Sequence, residues 1–154
     1  MRVLVLGLAG LLAATCCASA EDVLFNGLVL SSCSILGHTN GTLGVDLGSD
    51  GKVLTSELPY GLPATVTLLS VGTNYVNVAA PTRTDEPIDY EPSGEAIEVS
   101  YLGVGLLSAV SETWTASGTS HQATALLATA LTVNNRITNT ANGFPAGTYQ
   151  TRTV

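Results

Sequence analysis

This chain has little charge, few aromatic rings and almost no histidine. Asp, Glu, Lys and Arg make up 11% of its 154 residues, and 12 acidic side chains against 5 basic ones give a net charge of −7. A surface of that sign repels phosphate, which argues against nucleic-acid binding and against docking on anionic lipid. The three cysteines form no Cys-x-x-Cys and no Cys/His cluster, so no zinc site is expected, and no other cofactor is implied. There is no Gly-x-Ser-x-Gly elbow, and His38 and His121 lie in no recognisable catalytic motif. Both read as exposed turn residues, which leaves a small secreted hydrolase as an alternative without a signature. No internal repeat of fixed period stands out.

The long apolar run is confined to the start. Arg2 supplies a positive end, residues 3–14 an apolar core, and Ala18-Ser19-Ala20 the small-x-small pattern of a cleavage site. Residues 1–20 are therefore read as a secretory signal peptide. A membrane anchor would need roughly 20 apolar residues, and this core is shorter and lacks a basic flank. Cys16 and Cys17 keep a lipoprotein open as an alternative, although Thr15 and Ala13 stand where lipid attachment favours a small residue and a Leu. Export implies the periplasm, the cell surface or the medium, with no membrane span left after cleavage.

Residues 21–154 are long enough for one domain with its own core. Cleavage removes Arg2 as the only charge, so the acidic excess grows. It also removes two of three cysteines, leaving Cys33 alone in an oxidising compartment, as a free thiol or half of a disulfide. Thr, Ser, Gly, Val and Leu dominate, the mixture of uncharged strands and tight turns.

Alternation and turn residues predict a series of short strands. Residues 23–36 open the domain, with Val23, Phe25, Gly27 and Val29 on one face. His38-Thr39-Asn40-Gly41 is expected to turn, residues 42–47 form a short run, and Gly48-Ser49-Asp50-Gly51 turns again before residues 53–58. Residues 64–71 and 75–79, joined at Gly72-Thr73-Asn74, are the strongest local hairpin. Residues 81–93, with three prolines and Asp85, Glu86, Asp89 and Glu91, read as a surface loop. Residues 96–104 resume strand through Ile97, Val99 and Tyr101, and Trp114 is expected to plug the core or its edge. Residues 123–133 fit helix by composition and strand by alternation, and strand is preferred. Asn134-Asn135-Arg136 and residues 139–147 read as loops, and residues 148–154 as a terminal strand. The fold class expected is an all-β, antiparallel β-sandwich.

Both ends carry a pattern. Phe25-Asn26-Gly27 runs to Cys33, and Phe144-Pro145-Ala146-Gly147-Thr148-Tyr149 leads into the last strand. These stretches resemble the first and closing segments of bacterial pilin-type subunits, the group of chaperone–usher fimbrial and spore-coat-U-like proteins. The resemblance implies an immunoglobulin-like sandwich with an incomplete sheet. It implies that Gly147 bends the chain and Tyr149 anchors the closing strand. It implies self-association, or association with related subunits, by β-strand addition, and a periplasmic chaperone as partner. Only residues 21–24 precede the Phe25-x-Gly27 segment, too few for a separate donor of roughly 10 residues. Either residues 23–29 are themselves the donor, or the protein does not polymerise in this way. Family members usually pair the early Cys; the absence of a partner for Cys33 predicts that the chain is cut short after Val154.

Other candidates have plain readings. The carboxylates of residues 85–91 could make a glycosidase pair or a calcium loop, but Pro87 and Pro92 interrupt ligand spacing, and solvated charge is preferred. Asp46, Ser49 and Asp50 are read as turn formers, and Asn40-Gly41-Thr42 as a chance sequon. Trp114 with Tyr101 could stack a sugar, although a core aromatic pair is the commoner use. The expected function is a non-enzymatic exported structural or pilus-like subunit, with a self-contained secreted binding module as the alternative.

Overall fold

The computed structural model describes residues 32–105, 109–124 and 128–154. The expected signal peptide, residues 1–20, and the opening candidates Val23, Phe25, Gly27 and Val29 lie outside these. In chain order the strands are β1 (Ser32–Thr39), β2 (Gly44–Val45), β3 (Val53–Thr55), β4 (Ala64–Val71), β5 (Thr73–Val78), β6 (Thr82–Asp85), β7 (Glu95–Val104), β8 (Ala109–Thr115), β9 (Thr119–Thr124), β10 (Thr129–Asn139) and β11 (Gln150–Arg152). Every pairing is antiparallel. The only helical element among these residues is a 3-10 turn at Leu47–Ser49, capped by Asp46 Oδ1 accepting from Gly48 N at 2.8 Å. The expected all-β antiparallel sandwich is what the structure shows.

The main sheet is built on β10. Its 11 residues are long enough to hold two partners end to end on one edge, β4 against residues 129–133 and β3 against residues 136–138. β7 runs along the other edge, and β8 pairs with β7. β1 extends the sheet beyond β4, and β2 extends it beyond β3. The second layer consists of two separate ribbons, β5–β9 and β6–β11.

Period-two alternation gives the sheet one dry face. Leu68, Val99, Tyr101, Val110 and Leu131 point inward and meet Val78 and Ala123 from the β5–β9 ribbon. Val99 and Ala123 are wholly inaccessible. Burying each large aliphatic chain of this kind contributes about 1.5–3 kcal/mol. Residues 64–71 coincide with β4, and β7 contains residues 96–104.

Several expectations need correction. The hairpin predicted between residues 64–71 and 75–79 does not form. At Gly72 (φ +74°) the chain leaves the main sheet, and β5 pairs with β9 instead. The face assignment in β5 survives: Val78 is buried and Tyr75 exposed. β1 runs on through His38 and Thr39, because Thr39 hydrogen bonds to Thr65 across the sheet; the strand ends only before Asn40. Asn134, Asn135 and Arg136 are not a loop but the middle of β10. Their polar groups are used: Asn135 N donates to Ser56 Oγ at 2.8 Å, and Arg136 pairs with Glu98. Of residues 123–133, the first two end β9 and residues 129–133 open β10, with Ala128 in the left-handed region at φ +46° just before it; residues 125–127 lie outside the described residues. The proline-rich residues 81–93 are not simply a surface loop. They contain β6, and Tyr90 is buried.

Candidate functional site

A large concavity lies between the two layers on the side of β1. Its lining is apolar: Val66 and Leu68 of β4 and Leu131 and Val133 of β10 form the floor, and Val76 and Val78 of β5 face them from the other layer. Ile35 and His38 of β1 form one wall, and residues 144–154 form the other. The volume is about 1280 Å³. Each wall presents a strand edge. Among the described residues β1 pairs only with β4, and β11 only with β6. All eight residues of β1 are exposed, Ile35 at 69% and Leu36 at 59%. An edge strand this bare, beside a groove in which Val66, Val76 and Val133 are only partly buried, is a ready template for another strand. Thr153 Oγ1, also in the C-terminal wall, is buried without a hydrogen-bond partner among the described residues.

An aromatic and ionic cluster holds the C-terminal wall in place. Tyr90 stacks on Phe144 with ring centroids 5.5 Å apart, and Tyr149 meets both edge-on at 5.3 and 5.2 Å. The Tyr149 hydroxyl donates to Pro145 O at 2.8 Å, which closes the bend. At Gly147 an added Cβ would stand 2.3 Å from Pro87 Cγ, so the bend needs a glycine for close approach. Below the rings, the Arg83 guanidinium lies 4.4 Å from the Tyr90 ring centre. It pairs with Glu95 and, through Nη1 at 2.9 Å, with Glu86; this second contact is an ion pair without in-line hydrogen-bond geometry. The Tyr90 hydroxyl donates to Glu95 and accepts from Asn139 Nδ2. Burial pushes the Tyr149 phenol above its ordinary pKa, with Tyr90 and Asp89 adding to the shift.

The predicted site residues separate clearly. Gly147 makes a close approach to Pro87, and Tyr149 packs edge-on against Tyr90. Cys33 is an exposed free thiol on β1, opposite Ser70. The two histidines are strand residues, not turn residues. His38 lines the groove from β1, and His121 in β9 lies 3.2 Å from Glu112 of β8, edge-on to Tyr101. Burial raises the Tyr101 pKa, opposed by its Thr119 hydrogen bond and reinforced by Glu112. Trp114 and Tyr101 do not form a pair, because Tyr101 faces the core while the Trp114 ring lies under Arg136 of the outer face. Glu86 of the acidic run is held by Arg83, and Asp85 accepts from Glu86 N. Asp46 and Ser49 are the turn formers they were taken to be, with Ser49 Oγ bonded to both Asp46 O and Val53 N.

Sequence reasoning missed Arg83, Tyr90, Glu95 and Asn139. No motif links residues so far apart. The one available signal was Tyr90, an aromatic side chain inside a segment otherwise polar enough to be solvated.

No protein-family model, curated protein or solved structure matches this chain. The functional reading therefore rests on the groove and the sequence patterns.

Proposed function

We propose that this chain is an exported, non-catalytic structural subunit of the bacterial pilin type, which assembles by accepting a β-strand from a second copy. The observation that carries the reading is the apolar groove flanked by the edges of β1 and β11. A strand laid between them would complete ladders on both sides and cover the partly buried Val66 and Val133.

The donor is the segment at residues 23–29 of a neighbouring copy. Val23, Phe25 and Val29 share one face and would enter the groove, with Gly27 at a shallow position. Burying those three side chains contributes on the order of 5 kcal/mol. Hydrogen bonds to both edges add register, and the unpartnered Thr153 hydroxyl supplies a further bonding group for the incoming backbone. A periplasmic chaperone would protect the same groove before assembly.

The test is the association state of the processed chain, by size exclusion and negative-stain electron microscopy. Oligomers or fibres are expected, and Phe25→Asp with Val29→Asp should reduce them to monomers without unfolding the domain. A strictly monomeric wild-type protein, with no association with surface fibres, would overturn the proposal.

A further inference from the structure

The groove occupies the inner face of the main sheet; the outer face carries a second feature. We infer that this outer face holds a saccharide-binding site centred on Trp114. The chain has one tryptophan, and a lone tryptophan in a sandwich is the side chain best suited to fill the core. Here the backbone turns it away. Val99 pairs with Thr115 and Tyr101 with Glu112, so β8 gains one residue opposite Ser100. Such a bulge re-aims a side chain. Thr115 and Glu112 stay on the side of Val99 and Tyr101, and Trp114 turns to the outer face, where the Arg136 guanidinium sits 4.3 Å from its ring centre.

Beside the ring is an open pocket of about 380 Å³, whose lining includes Ser100, Leu102, Glu112, Thr113, Trp114, Thr132 and Asn134. Ser100, Thr113, Thr132 and Asn134 offer neutral hydroxyl or amide groups, Leu102 and Trp114 are apolar, and Glu112 is the one carboxylate, 3.2 Å from His121. The Asn134 amide is oriented by Ser56, whose hydroxyl donates to Oδ1 at 3.3 Å. Arg136 and Glu98 are the charges beside the pocket on β7 and β10, and they neutralise each other at 2.7 Å. Glu112 leaves the pocket's edge acidic, in keeping with the net charge of −7.

That chemistry selects the ligand. A sugar ring has an apolar C–H face, which stacks on an aromatic ring, and a rim of neutral hydroxyls, which exchange hydrogen bonds with hydroxyls and amides. The ion pair holds one side of the indole, and the ring's remaining surface is the stacking platform. An anionic glycan is disfavoured, because Glu98 already occupies the guanidinium and Glu112 lines the pocket. The open shape suits a sugar unit within a chain, bound on a flat sheet face, and not a small molecule enclosed in a cavity.

Because the chain has a single tryptophan, its fluorescence reports this site alone. The processed protein is titrated with cellohexaose, maltohexaose, mannohexaose, chitohexaose and, as an anionic control, a heparin hexasaccharide. At least one neutral oligomer is expected to shift the Trp114 emission saturably. Affinity measured by calorimetry should fall at least about tenfold in Trp114→Ala and in Thr132→Val, each checked for folding by circular dichroism. Should Trp114→Ala fail to fold, Thr132→Val and Ser100→Ala decide the matter. No response to any neutral oligomer, a response to heparin alone, or calorimetric binding unchanged in the folded variants would overturn the inference. Groove-blocked monomers (Phe25→Asp with Val29→Asp) should bind as the wild type does, so this result stands apart from the assembly test.

Discussion

Asn139 Nδ2 donates to the Tyr90 hydroxyl at 3.1 Å, joining residues 49 positions apart at the end of β10. Asn139 is wholly buried and uses both ends of its amide. Nδ2 also reaches Glu91 O at 2.8 Å, and Oδ1 accepts from the backbone N–H groups of Ala141 and Asn142. One side chain thus ties β10, the segment after β6 and the turn beyond Asn139. The aromatic cluster that carries the groove's C-terminal wall is built on that tie.

Asn139→Ala leaves the Glu91 carbonyl and two backbone N–H groups short of partners in a buried place. An unmade buried hydrogen bond costs about 1–3 kcal/mol, so a loss on the order of 3 kcal/mol is expected. Urea denaturation followed by far-ultraviolet circular dichroism measures it. A change below about 0.5 kcal/mol, the size of an ordinary surface substitution, would show that the tie contributes little.

Gly147→Ala places a methyl group 2.3 Å from Pro87 Cγ, closer than such atoms can approach. Either the bend or the Pro87 segment must shift, at a cost of about 1–3 kcal/mol. Thermal unfolding should show a lower midpoint. Amide exchange should show faster opening at residues 148–154 than at β4, because the damage is local to the C-terminal wall.

Alkaline pH should weaken the fold through its buried phenols. Tyr149 and Tyr101 both have pKa values raised above the ordinary 10.0, mainly by burial. The unfolded chain therefore releases these protons first as pH rises. Their contribution is complete below about pH 10 and is lost as pH climbs through the higher folded values. Denaturant midpoints measured from pH 8 upward should be flat and then fall. In Tyr149→Phe the fall should be shallower, alongside a lower starting stability from the lost bond to Pro145 O. An unchanged slope in that variant would assign the alkaline loss to other groups.

Cys33 is exposed on the edge strand. In the processed chain it should react with a thiol reagent without denaturant, at the rate of a solvent-accessible cysteine, and Cys33→Ser should change stability by less than about 0.5 kcal/mol. If strand addition along β1 operates, assembled material should react more slowly than monomer. Equal rates in both would place the added strand away from β1.

The local part of this fold was legible because alternation is a local property. Val66 and Leu68 against Thr65 and Thr67, or Val99 and Tyr101 against Ser100, declare a strand and its dry face with no knowledge of the partner. Gly72 likewise declares a corner. The choice of partner is not local, and it was misjudged where proximity in sequence was taken as a guide. Residues 64–71 and 75–79 look like a hairpin, yet β5 must cover the core from the other layer, so Val76 and Val78 face β4 across the interior instead of lying beside it. Asn134-Asn135-Arg136 resembles a loop because its polar groups find their partners, Ser56 and Glu98, only in the folded sheet. The same holds for the site. Gly147 and Tyr149 stood in a recognisable pattern, but Arg83, Tyr90, Glu95 and Asn139 meet through contacts that no spacing encodes. The chain's own pattern of apolar and turn residues determined that it is β-rich, which faces are dry and where it bends. Tertiary structure alone decided which edges stay unpaired, where the groove opens and which way Trp114 points, because each depends on the pairing of strands distant in sequence.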